Sequence, residues 1–158
     1  MLRGEICDLD PGCHADLSQV LLEYGLSCQG CQDRDRAGEL VECTGERLGR
    51  ILATKLFQDA PGLPVVEQVC GAFEFILQSM GFPAQMEQAP GSIRYDLACC
   101  PLLETAHETG LSLGLVTARR GFVALCTSML KALAPDWTMV KPAASQVDGP
   151  FGEIVLHY

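Results

Sequence analysis

Apolar residues return at helical spacing in four stretches of this 158-residue chain and alternate with polar ones in the stretches between. Residues 15–25 place Leu17, Val20, Leu21 and Tyr24 on one helical face, and Gly25 ends it. Residues 39–57 form a longer helix carrying Val41, Leu48, Ile51, Leu52 and Leu56. Gly45 and Gly49 stand four apart on it, a spacing that lets the backbone of another element come close. Pro61, Gly62 and Pro64 restart the chain, and residues 64–80 then align Val66, Val69, Phe73, Ile76, Leu77 and Met80 before a stop at Gly81. The fourth stretch, residues 115–134, carries Leu115, Ala118, Phe122, Leu125, Met129 and Leu133 on one stripe and ends at Pro135.

The period falls to two in two places. Residues 84–88 alternate, Pro90-Gly91 marks a turn, and Ile93, Tyr95, Leu97 and Cys99 alternate with Arg94, Asp96 and Ala98, which predicts a β-hairpin. Pro101 opens a short helix that closes at Gly110. A second hairpin follows from residues 137–144, the turn at 148–150 and the strand 153–158. This order predicts an α+β domain: a four-stranded antiparallel sheet made of two hairpins, with helices packed on one face. Residues 1–158 read as a single domain with 1–14 as a loosely docked tail. Helices on one face leave a sheet edge open, which makes a homodimer an expectation.

Composition narrows the class of partner. Eleven Lys and Arg against twenty Asp and Glu give a net charge of −9, which speaks against nucleic acid or an anionic membrane. The acidity is concentrated early: residues 1–79 hold thirteen acids and six bases, residues 80–158 seven and five. No apolar run approaches the ~20 residues that span a bilayer, and the N-terminus lacks a secretory pattern. A cytoplasmic protein with reduced thiols is therefore expected. That matters because the chain has nine cysteines, an odd number that no complete disulfide set can absorb.

Three groups of residues are candidates for chemistry. The first is Cys99-Cys100-Pro101, where a strand gives way to a helix. Cys100 would sit at the helix N-cap, where unpaired N–H groups and the helix dipole favour a thiolate, while strand alternation turns Cys99 inward. His107 lies seven residues on, about 10 Å further along the helix, too far to act directly as its base without a bend. The second is Cys28-x-x-Cys31, a spacing used for zinc, for iron–sulfur clusters and for redox pairs. Its further ligands would have to come from Cys7, Cys13, His14, Cys43, Cys99 or Cys100. The third is Arg119-Arg120, able to clamp a carboxylate but, on an acidic chain, more simply a solvent-facing pair that balances nearby acids. No phosphate loop, dinucleotide fingerprint or nucleophile elbow is present.

The order of elements over residues 39–158 resembles the 4-vinyl reductase domain and its TRAPP-subunit relatives. The likeness is carried by residues 95–110, by the helix of residues 115–133 and by the ending Gly152-Glu153-Ile154-Val155-Leu156-His157-Tyr158. It implies an α+β domain that binds an apolar small molecule between sheet and helices, with Phe73, Leu77, Tyr95, Phe122, Met129 and Ile154 as lining and Cys99 and His107 as soft or polar contacts. Members usually carry a cysteine in the closing strand, where this chain has Val155 and Leu156. A second, partial likeness, at Cys100-Pro101 and Gly110, is to aminothiazoline carboxylate hydrolases. It implies Cys100 as a nucleophile toward an amide- or thiazoline-type carbon, with His107 as the other catalytic candidate. A zinc or iron–sulfur interaction module built on Cys28 and Cys31 is the third expectation.

Overall fold

The computed structural model describes residues 34–57, 62–82, 84–97, 115–140 and 152–158. In these segments the chain forms α1 (Arg34–Phe57), α2 (Val65–Ser79), β1 (Ala84–Ala89), β2 (Ser92–Leu97), α3 (Leu115–Leu133), β3 (Thr138–Met139) and β4 (Glu153–His157). The sheet is antiparallel throughout, in the order β1-β2-β4-β3. The first hairpin forms as the alternation predicts; of the second, the strand expected over 137–144 is only Thr138–Met139, antiparallel to β4, and the turn expected at 148–150 lies outside the described residues. The two pairs are joined where β2 meets β4, Tyr95 opposite Ile154.

Local chemistry sets the ends of α2. Pro64 precedes its first turn with φ −55° and ψ 145°, and its carbonyl accepts the Gln68 N–H at 3.1 Å. At the other end Gly81 takes φ +75°, which lets its N–H reach the Gln78 carbonyl at 2.9 Å and the Phe82 N–H reach that of Leu77 at 2.8 Å. This pair of bonds is a Schellman stop, and it is why a glycine ends the helix. It also delivers Phe82 into the core, where its ring stacks on Phe122 at 5.4 Å between centroids. Gly91, at φ +78°, turns the first hairpin after Pro90.

The core is a single layer between helices and sheet. Ile93, Tyr95 and Leu97 of β2 and Ile154 and Leu156 of β4 point into it. From the helices come Val69, Ala72, Phe73, Ile76 and Leu77 of α2 and Ala118, Phe122, Cys126, Met129 and Leu130 of α3. The alternate residues turn outward, where Arg94 pairs with Asp96 at 2.8 Å and with Glu153 at 3.0 Å. All three of these side chains are half exposed, so solvent screens the triad and it contributes little to stability.

The placement of α1 departs from what its large apolar residues suggest. Val41 is buried and Leu52 packs on the core, but Leu40, Leu48 and Ile51 remain exposed. The packed face is built of small residues: Gly38, Gly45, Gly49 and Ala53 follow one another at spacings of seven, four and four. α3 runs along this face, parallel to α1. A methyl group on Gly45 would collide with the carbonyl oxygen of Gly121, and one on Gly49 with that of Leu125. With the backbones so close, the Ser128 hydroxyl donates to the carbonyl of Glu46 at 2.7 Å. Arg120 reaches Glu42 at 2.9 Å beside it.

The paired arginines therefore divide. Arg120 balances an acid at the surface, as expected of such a pair, whereas Arg119 is only 6% exposed. One residue is a rotation of about 100° on a helix, and Arg119 shares the inward side with Ala118 and Phe122. It is engaged there rather than solvent-facing.

The seam gives a graded prediction. Gly45→Ala and Gly49→Ala gain about 1 kcal/mol of helix propensity but force backbones apart, and are expected to destabilise by about 1–3 kcal/mol net in urea unfolding. Gly38→Ala meets only the end of the Arg120 side chain and is expected to be neutral or slightly stabilising. Equal effects at the three positions would contradict the packing described.

Candidate functional site

The described elements bring five of the sequence-derived binding residues together. Phe73 and Leu77 from α2, Tyr95 from β2, and Phe122 and Met129 from α3 all belong to one buried cluster. Phe73 stacks on Tyr95 with 5.8 Å between ring centroids, and none of the five side chains is more than 2% exposed. Cys99, Cys100, His107, Cys28 and Cys31 lie outside the described residues, as does the chain on either side of the Cys100-Pro101 step. Among the described residues, no three His, Cys, Asp or Glu side chains are grouped to hold a metal.

One polar group stands out within the cluster. The Tyr95 hydroxyl is buried and closes no well-aligned hydrogen bond; the thiol of Cys70, on α2, is the polar group beside it. Burial first, and then the Cys70 thiol, pushes the Tyr95 phenol far up from its ordinary range. Cys70 is itself raised, chiefly by burial and further by Glu74 and Glu67, with the Tyr95 contact acting in the opposite direction. Both groups stay neutral at physiological pH, so this pair is a packed polar contact and carries no charge.

An open cleft lies at the other end of the sheet, where α3 crosses β3 and β4. It is a shallow opening whose closed part is about 10 Å³, and it is lined by Phe122, Val123, Cys126, Met139, Val140, Glu153 and Ile154. Phe122 and Ile154 are the two lining residues legible in the sequence. Glu153 adds no charge to the interior, since its carboxylate turns to the outer face to meet Arg94 at 3.0 Å. The polarisable atoms of the lining are the Cys126 thiol and the Met139 thioether. Cys126 is wholly enclosed, and burial pushes its thiol up to about 12, so it lines the cleft as a neutral, soft contact rather than a nucleophile. Nearby, Trp137 stacks on Tyr158 at 4.4 Å and fixes the end of β3 against the end of β4.

Sequence reasoning missed Val123, Cys126 and Met139 as a group. Cys126 follows Phe122 at i+4, which puts both on one face of α3. Met139 and Ile154 lie on the inward side of adjacent strands, since Met139 pairs with Leu156. The shared face was readable along each element; that the two faces meet was not.

No protein-family model matches the chain, and no match was found among curated proteins or solved structures. Among the described residues, no helix is long and apolar enough to cross a membrane.

The thiols should respond by burial. Iodoacetamide labelling followed by peptide mass spectrometry is expected to modify exposed Cys43 first, half-buried Cys70 later and Cys126 last. Stability should also fall in alkali. The folded Cys126 thiol keeps its proton to about pH 12, against about 9 for an ordinary thiol. Its contribution is thus complete below about pH 9 and is lost as the pH rises toward 12. The raised Cys70 and Tyr95 act with the same sign. Urea midpoints should drop above pH 9, and Cys126→Ala should flatten part of that drop; an unchanged slope would remove Cys126 as a source.

Proposed function

We propose that this chain is a small-molecule binding domain that takes an apolar ligand in the cleft between α3 and the β3–β4 edge. The observation that carries the reading is the lining itself: an aromatic ring, branched aliphatics, a neutral thiol and a thioether, with the one carboxylate directed away. Such a surface offers dispersion and sulfur–aromatic contacts and no fixed charge, so it selects against ionic ligands. The closed part of the cleft is about 10 Å³, room for one water molecule and far below the ~300 Å³ of sites that enclose drug-sized molecules. The occupant therefore rests in the open mouth, as a single ring or a short alkyl chain laid against the lining. The resemblance in element order to 4-vinyl reductase domains, read from the sequence, points to the same class of function.

The reading is tested with toluene and hexanol as probes and methionine-methyl NMR as the readout. The Met139 methyl is expected to shift with saturation, while that of Met86, at the opposite edge of the sheet, stays fixed. Val123→Phe, which fills the cleft from a half-buried position, is expected to abolish the shift with the fold intact. A Met139 signal unmoved by either probe, or a shift that survives Val123→Phe, would overturn it.

A further inference from the structure

We propose that two copies of this chain pair through β1, antiparallel about a two-fold axis at Met86, to form one continuous eight-stranded sheet. β1 is the outermost strand, and all six of its residues are exposed. Edge strands are normally protected by proline, lysine, a bulge or a covering element. β1, reading Ala-Gln-Met-Glu-Gln-Ala, has no proline and one charge, and its register against β2 is unbroken over six pairs.

The phase of its hydrogen bonds follows from the turn. Ala89 pairs with Ser92 across the two-residue connection Pro90-Gly91, so these two exchange the closing pair of ladder bonds. The Tyr158 hydroxyl, approaching from the β4 side, donates to the Ala89 carbonyl at 3.3 Å, which agrees with that phase. Alternation then commits Gln85, Glu87 and Ala89 to β2 and directs the N–H and C=O groups of Ala84, Met86 and Gln88 to the open edge.

For a second copy, that phase and the residues of β1 narrow the register: centring on Glu87 sets two carboxylates opposite each other, and centring on Gln85 leaves Gln88 opposite Phe82, in the core. A two-fold axis normal to the sheet keeps the helices of both copies on one face, and it pairs residues that point the same way. Centred on Gln88, Met86 would face Pro90, which has no N–H. Centred on Ala84, the partner of Met86 would be Phe82, which lies in the core and outside the strand. Centred on Met86, every outward group finds a mate: Met86 bonds Met86 of the second copy, and Ala84 bonds its Gln88 in both directions, about six backbone hydrogen bonds in all. Between them Gln85 lies opposite Glu87, an amide donor against a carboxylate, and no like charges meet.

Side-chain cover points the same way. Met86 pairs with Tyr95 and so lies on the helix-facing side of the sheet, yet it is 44% exposed, and among the described residues no helix reaches over β1. Two Met86 side chains at the axis would cover each other. The cleft described above lies at the far edge, beside β3, so ligand binding and pairing stand or fall separately.

Sedimentation equilibrium of the full chain is expected to give twice the 17.0 kDa chain mass. Met86→Pro removes an outward N–H and leaves the β1–β2 ladder untouched, so it should halve the mass with unchanged far-UV circular dichroism. Met86→Lys, which places two cations at the axis, should do the same and decides the matter if the proline variant does not fold. Position is read by cross-linking. Across a hydrogen-bonded pair the Cα atoms stand about 5.5 Å apart, within disulfide reach, so Met86→Cys should oxidise to a linked dimer above the background of the parent chain. Gln85→Cys, displaced from its own copy along the strand, should not. A single-chain mass for the parent, a dimer that survives both Met86 substitutions, or equal cross-linking at 85 and 86 would overturn the proposal.

Discussion

The close approach of α1 to α3 is the contact on which the helical layer depends. It is made by absence: Gly38, Gly45 and Gly49 remove side chains from one helix, and Gly121 removes one from the other. The gain is not the burial of large apolar groups, which these residues lack. It is dispersion between backbones and the hydrogen bond from Ser128 to the Glu46 carbonyl, available only at this separation. Glycine weakens each helix in isolation, by about 1 kcal/mol per residue relative to alanine, so α1 owes its stability to α3 more than to its own sequence.

With α1 held on one side of α3, the other side is free to meet the sheet. Ala118, Phe122, Cys126 and Met129 form that second stripe, and it serves two ends. Toward α2 it closes against Phe82 and the Phe73–Tyr95 stack. Toward β3 the cover thins, because β3 is only two residues long, and a cleft results. The same helix face is thus core at one end and candidate binding surface at the other. The difference lies in what the sheet supplies opposite.

The sequence made the antiparallel sheet legible because alternation is local: Ile93, Tyr95 and Leu97 declare their face without reference to anything else. The stop at Gly81 was readable for the same reason. The face of α1 was legible only in part: of the large apolar residues that mark it in the sequence, Val41 and Leu52 pack inward but Leu48 and Ile51 do not, and the packed face is a row of glycines. Gly45 and Gly49 announced a close neighbour without saying which. Arg119 escaped because adjacent residues on a helix look alike in sequence and differ by slightly more than a right angle in space. The cleft escaped because it needs α3 and β4 together, and contact between distant segments is what periodicity cannot express. The thiol candidates at Cys28, Cys31, Cys99 and Cys100 remain expectations drawn from spacing alone.

The parallel course of α1 and α3 has a consequence for how the chain reaches its fold. The bonds that fasten the seam link residues 78 and 82 positions apart, with α2 and the first hairpin threaded between them. Two helices running the same way cannot be joined by a short turn, so no local hairpin can template this contact. Loop closure over that distance must precede any reward from the glycine faces. As the chain is synthesised, α1 emerges first and waits, a helix with little intrinsic stability, until α3 has followed it. The contact that does most to order the finished helical layer is therefore among the last that the growing chain can make.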